Sequence, residues 1–208
     1  MGSPESVWRS FALRFSPFAL RLSLRSYDLP VNVDLWAPLE SLPPVVTGDG
    51  VKAAVLVPFY EQDGVLRLIM TRRPDTMRSH PGDVVFPGGM IEPTDDGPVH
   101  TAIREAWEEV GLPPDQIEVL GGLESVHTRS VTMRISPVVA RVQRPENLVP
   151  QPSEVAAIIE PSIDQLLVDG EWRRSVWAGR DMWFYEFPEG VLWGATAFIV
   201  RGLLQHFR

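Results

Sequence analysis

The stretch Gly88 to Leu112, GGMIEPTDDGPVHTAIREAWEEVGL, decides how this chain is read, because it runs from a Gly-Gly turn through an acidic loop into a helix whose carboxylates crowd together. Pro98 suits the first helical turn, and Gly111 followed by Pro113 is a stop signal, so about three turns are predicted between them. On such a helix Glu105 and Glu109 are four residues apart and Glu108 is three from Glu105, which puts these side chains within reach of one another. Like charges at this spacing weaken an isolated helix by a few tenths of a kcal/mol per pair. Two readings fit: an exposed Glu-rich surface, or a set of oxygen ligands for a hard divalent cation such as Mg²⁺. The helix alone favours the first. The preceding residues favour the second, since FPGG allows close backbone approach and MIEPTDD brings Glu92, Asp95 and Asp96 toward the helix N-terminus. Arg104 has a rigid fork of donors that can bridge carboxylates without binding a metal itself.

Outward from this stretch, VKAAVLVPFY and GVLRLIMTRR, separated by EQDG, predict a strand hairpin, and GDVVFPGG predicts a third strand. Downstream, IEVLGGLESVHT and VTMRISPVVARV read as strands, EVAAIIEP is ambiguous, and MWFYEFPEGVLW reads as a strand entering a turn. At the end, Trp193, Ala197, Val200 and Leu204 fall at helical steps, as do Ala195, Phe198, Ile199 and Leu203, so a buried closing helix is predicted. Near the start, Trp8, Phe11, Phe15, Phe18 and Leu22 recur with helical spacing around Pro17, followed by a proline-rich connector up to Gly50. The expected organisation is therefore a helical extension and connector over residues 1–50 and one domain over 51–208. Mixed strands framed by helices indicate a layered α/β or α+β fold.

With 208 residues, 44% of them hydrophobic, the chain has enough apolar material for one substantial core. The formal net charge of -8 repels phosphate polymers and anionic lipid surfaces, which argues against general binding to nucleic acid or membranes. Without cysteine there is no disulfide, thiolate nucleophile or Cys-ligated zinc. The start lacks a secretory signal, and no segment reaches the roughly 18 apolar residues of a membrane span, so a soluble cytoplasmic protein is expected. The apolar face of the extension fits packing on its own domain or on a second subunit, the second giving a homodimer.

Gly-Gly followed by REAWEEVGL resembles the Nudix box, G-x5-E-x7-R-E-u-x-E-E-x-G-u, where u is aliphatic. Every fixed position from Arg104 to Leu112 agrees; upstream, Asp95 stands where the family has Glu, and the gap to Arg104 is one residue longer. Before the box, IMTRRPDTMRSHPGDVVFPGG resembles the signature of the coenzyme A pyrophosphatase branch at Thr71, Arg73, Arg78, His80, Gly82 and Phe86 to Gly89, departing at Ile69, Met70, Pro74 and Met77. With SEV and LWGATAFIV the similarity covers roughly Val51 to Leu204.

The resemblance implies a Nudix-like α/β/α sandwich with a mixed sheet and a loop-helix-loop metal site. It implies hydrolysis of a coenzyme A-like nucleoside diphosphate derivative with Mg²⁺ or Mn²⁺, giving 3′,5′-ADP and 4′-phosphopantetheine in this branch. Metal ligation is expected from Glu105, Glu109 and Glu108, the last directly or through water. The proton of the attacking water is expected to pass to Glu105, Glu108 or Glu154, with Arg104 orienting the carboxylates. A loop acid that only starts a strand fits Glu154 equally well. Arg73, Arg78, His80, Gly88 and Gly89 are the expected substrate-binding residues, since arginines match phosphate oxygens bidentately; Arg72 fits a solvated role, and a structural histidine is the other reading of His80. Trp172, Trp177, Trp183 and Trp193 fit either core packing or a surface for adenine or pantetheine.

Overall fold

The structure is a computed structural model that describes residues 34–127, 133–177 and 179–208, the side chains of 177 and 180 excepted. The chain divides into residues 1–33 and 34–208, and every described element lies in the second unit. The helices expected near the N-terminus lie outside the described residues.

β1 (Val51–Gln62) organises the domain. Ala54, Leu56 and Tyr60 face one apolar cluster while Val57 and Phe59 face another, so both sides are buried and the strand reads as a nearly continuous apolar run. β2 (Val65–Leu68) folds back on it antiparallel across the turn at Asp63 and Gly64. The segment expected as one second strand is two, because the chain leaves β1 at Ile69: β3 (Met70–Arg72) belongs to another sheet. β4 (Asp83–Val85) pairs with β3 there, and the chain then returns through Phe86 and Pro87 to β5 (Gly88–Met90) on β1. The crossing points are held by Ile69 N–H to the Pro58 carbonyl (3.1 Å) and Leu56 N–H to the Pro87 carbonyl (2.8 Å).

The helix α1 (Pro98–Val110) comes next, capped by Gly111 in the left-handed conformation (φ 69°) that L side chains rarely adopt. Ala102, Ala106 and Val110 recur at four-residue steps and are fully buried against Ala54, Leu56, Val138 and Ala140, so small side chains let the helix lie close on the sheet. β6 (Ile117–Gly122), β7 (Val126–His127) and β8 (Arg134–Val142) complete the first sheet, in which β8 runs parallel to β1 from Val51 to Phe59.

EVAAIIEP contains a strand, β9 (Ala157–Ile159), and a short helix, α2 (Ile163–Leu166), capped by Ser162, comes after it. β10 (Trp172–Trp177), β11 (Arg180–Glu186) and β12 (Val191–Trp193) then extend the second sheet in the order β10, β11, β12, β4, β3, β9. The mixed β-structure implied by the resemblance is present as two mixed six-stranded sheets, because the chain transfers between them at Ile69 and Pro87. The closing helix α3 (Gly194–Leu203) buries Ala197, Ile199, Val200 and Leu203, as expected from its spacing. Trp193 is not on it: that residue is extended (φ -157°, ψ -175°) and ends β12, while Gly194 at φ 62° makes the turn into the helix. The architecture is α+β. Among the described residues no helix is long and apolar enough to cross a membrane.

Candidate metal and diphosphate site

Glu105 and Glu109 leave α1 on the side facing β5, where Gly88 and Gly89 replace side chains with bare backbone. A Cβ at Gly89 would lie 2.3 Å from Glu105 Oε1, so this carboxylate occupies the space that only glycine leaves open. The Gly88 backbone N–H favours the charged form of the Glu109 carboxylate.

Glu154 arrives from a distant loop. Gln151 N–H donates to the Glu109 carbonyl (2.8 Å) and Val149 N–H to the Val110 carbonyl (2.9 Å), so the loop docks on the open C-terminal end of α1. The adjoining turn, closed by Glu154 N–H to the Gln151 carbonyl (2.9 Å), carries the Glu154 side chain to the helix. Carboxylate oxygens of Glu105, Glu109 and Glu154 lie within 4.8 Å of one another. Three oxygen donors this close, with one member exposed and two largely buried, make a donor set that fits a hard divalent cation.

The electrostatics reflect this crowding. Burial, then repulsion from Glu105 and Glu154, pushes the Glu109 carboxyl up to about 8. Burial also raises Glu105, against the opposing pull of Arg104. Glu108 stands apart from the three: its side chain is 54% exposed and accepts from Arg104 Nη1 at 3.0 Å.

Arg104 distributes its donors over the whole segment. Nε and Nη2 each reach Asp95 at 3.1 Å, Nη1 reaches Glu105 and Glu108 at 3.0 Å, and Nη2 also reaches the Met90 carbonyl at 3.3 Å. Asp95 is fully enclosed, accepts from Glu92 N–H (2.9 Å) and Thr101 Oγ1 (2.8 Å), and is held well below the usual carboxylate range, chiefly by Arg104. The box position that departs from the family pattern therefore anchors the arginine that orients Glu105. Glu92 contributes backbone here, and Thr101 and His100, which carry no signal of their own in the sequence, complete the Asp95 shell.

Arg73 adjoins the end of β3 and pulls down on the Glu109 carboxyl by its charge; its buried Nε has no hydrogen-bond partner among the described residues. Arg78 lies on the loop between β3 and β4, and Arg72 pairs with Asp75 at 2.6 Å. His80 stands on the same loop with Nδ1 2.9 Å from Asp83 Oδ2. His127 is exposed in β7. Of the tryptophans, Trp172 is buried in the core and donates Nε1 to the Leu166 carbonyl, and Trp183 lies under Arg201 at 3.8 Å. Asp83 carries no signal in the sequence beyond its place in GDVVF; its role depends on the turn that brings His80 back to it.

A family profile described as NUDIX domain matches residues 50–181. A protein named Uncharacterized Nudix hydrolase NudL from Enterobacter sp. strain 638 is 34% identical over 194 residues, covering 86% of this chain and 96% of that one. Nudix hydrolase 22, chloroplastic, from Arabidopsis thaliana is 38% identical over 161 residues, covering 72% of this chain and 53% of that protein. The chain spans about half the length of the plant relatives it matches. Among solved structures, a Nudix hydrolase from M. smegmatis, RenU, aligns with a TM-score of 0.48 at 24% identity, covering 57% of this chain and 74% of that one.

Proposed function

The chain belongs to the Nudix hydrolase family, and on that premise we propose that it is a divalent-metal-dependent pyrophosphohydrolase that cleaves the diphosphate of coenzyme A or its derivatives. The observation that carries the reading is the convergence of Glu105, Glu109 and Glu154 oxygens within 4.8 Å, beside a loop bearing Arg73, Arg78 and His80. Mg²⁺ or Mn²⁺ would be held by Glu105 and Glu109 beside the exposed Glu154; bound there, it supplies neutralisation of phosphoryl charge and a lowered pKa for a coordinated water.

The residues then divide the work. Arg104 fixes the orientation of Glu105, with Glu108 as a further acceptor on the same guanidinium. Arg73 and Arg78 bind diphosphate oxygens, and the Gly88 and Gly89 backbone permits their close approach. Water forms a new P–O bond, the anhydride P–O bond breaks, one phosphate leaves as the anion, and the water's proton passes to a carboxylate. Glu154 takes the proton in this reading: it is the exposed member of the three, whereas the Glu108 carboxylate is engaged by Arg104.

Gly89→Ala is expected to push Glu105 aside and weaken Mn²⁺ affinity about 10- to 100-fold, the range seen when support of a metal-ligating group is disturbed. Calorimetric titration of the folded variant reads this directly; unchanged affinity would show that the contact with Glu105 does not set its position.

The function is tested by incubating the full chain with coenzyme A, dephospho-coenzyme A, ADP-ribose and diadenosine polyphosphates, with Mg²⁺, Mn²⁺ or chelator, and weighing the products. Metal-dependent release of 3′,5′-ADP from coenzyme A is the expected result, with slower cleavage of dephospho-coenzyme A. Turnover of another substrate without cleavage of coenzyme A would discard the substrate assignment and keep the reaction class.

A further inference from the structure

We infer that Arg72 is a positioning residue: it clamps the base of the loop between β3 and β4 and so sets how tightly the chain holds its substrate. This rests on the proposed function, in which Arg73 and Arg78 bind the diphosphate. In the sequence Arg72 reads as a solvated cation, but its side chain is only 21% exposed and its Nε is buried without a hydrogen-bond partner among the described residues. Sealing an N–H from water without an acceptor carries a penalty, so the side chain is held there by its other contacts. Nη2 donates to Asp75 Oδ1 at 2.6 Å, and Nη1 donates to the Arg73 carbonyl at 3.5 Å.

These contacts join the two ends of the loop. Where the chain leaves β3, Arg73 N–H donates to the Asp83 carbonyl (2.9 Å), and where it returns, Gly82 N–H donates to the Arg73 carbonyl (3.2 Å). The ion pair lies against this junction: a Cβ on Gly82 would stand 3.2 Å from Asp75 Oδ1 and 3.5 Å from Arg72 Nη2. Gly82 is left-handed (φ 74°), so glycine there serves both the turn and the close approach of the pair. The turn between β11 and β12 closes on the same point, since a Cβ on Gly190 would stand 2.6 Å from the Gly82 carbonyl oxygen and 3.6 Å from Arg72 Cγ. Arg72 thus reaches the start of the loop through Asp75 and its end at Gly82.

The clamp sits among the groups that the proposed reaction uses. The Arg72 carbonyl accepts from Ala156 N–H at 2.8 Å, two residues beyond Glu154, so the same residue ties β3 to the loop that carries this carboxylate. Arg73 follows directly, and its charge reaches Glu109. On the clamped loop Arg78 is exposed, so the loop's backbone decides where its guanidinium stands. Ordering a loop and a long side chain on a ligand costs affinity, and a base closed beforehand removes part of that cost. Arg72 acts through the loop, so its loss falls on substrate binding and leaves the chemical step.

Two measurements on the full chain test this: the rate at which trypsin cuts the folded protein after Arg78, followed by mass, and steady-state hydrolysis of coenzyme A with Mg²⁺. Arg72→Met keeps the aliphatic stem beside Gly190 and removes the donors. It is expected to speed the cut and to raise KM, each about fivefold or more, with kcat within about twofold. Arg72→Lys, which still offers Asp75 a charge, is expected to fall between the two. Asp75→Ala, at a side chain 74% exposed, breaks the same pair and decides the matter should Arg72→Met not fold. The inference is overturned if neither measurement changes, if the cut quickens without a rise in KM, or if kcat falls while KM holds. If the unaltered chain does not hydrolyse coenzyme A, the proposed function fails by itself. The cut after Arg78 then decides the clamp alone: faster in Arg72→Met it stands, unchanged it is overturned too.

Discussion

Glu109→Gln cuts kcat/KM about a thousandfold, a loss of roughly 4 kcal/mol of transition-state stabilisation, while making the metal-free protein more stable at pH 8. The two effects have one origin. Glu109 is 6% exposed and shares its surroundings with Glu105 and Glu154, so its charged form is disfavoured until a cation is present. Its carboxyl is raised from an ordinary 4.5 to about 8, so the folded state holds a proton that the unfolded state has already released between those values. Stability therefore falls as pH rises through that window, by at most on the order of 5 kcal/mol without metal. Glutamine has no proton to lose and removes this contribution to the slope, at the cost of an anionic ligand. Urea unfolding in chelator at pH 5.5 and pH 8, for both proteins, reads the difference. Equal pH slopes, or unimpaired turnover by a folded Glu109→Gln protein, would remove the assignment.

Arg104→Leu lowers stability by about 3–5 kcal/mol, the range for stripping one partner from a buried ion pair. Asp95 is fully enclosed, and Arg104 supplies two of its contacts, so the leucine variant leaves a carboxylate with only Glu92 N–H, Thr101 and the exposed His100 beside it. Adding Asp95→Asn to Arg104→Leu removes the stranded charge and is expected to recover part of the loss. Chemical denaturation of the two single variants and the double variant measures that coupling. Additive losses would mean that Asp95 and Arg104 are held independently, and that Arg104 acts on Glu105 alone.

Much of this site is legible in the sequence. Glu105 and Glu109 share a side of α1 because a helix sets neighbours at three and four residues, and Pro98 and Gly111 mark its ends through backbone rules that need no tertiary context. The two-sided burial of β1 and the apolar spacing of α3 are written in local patterns of the same kind. Trp193 escapes such patterns for the converse reason: helical spacing in LWGATAFIV extends one residue past the point where Gly194 turns the chain, and periodicity does not register a left-handed turn.

The sequence by itself determined the helix, its carboxylates and the glycine turn, because each depends on residues within a turn or two of one another. Only the tertiary structure brought Glu154 within reach of Glu105 and Glu109, since that depends on backbone bonds between α1 and a loop some forty residues away. It alone divided the strands between two sheets, because strand order and register are long-range pairings, and the switch at Ile69 and Pro87 has no local code.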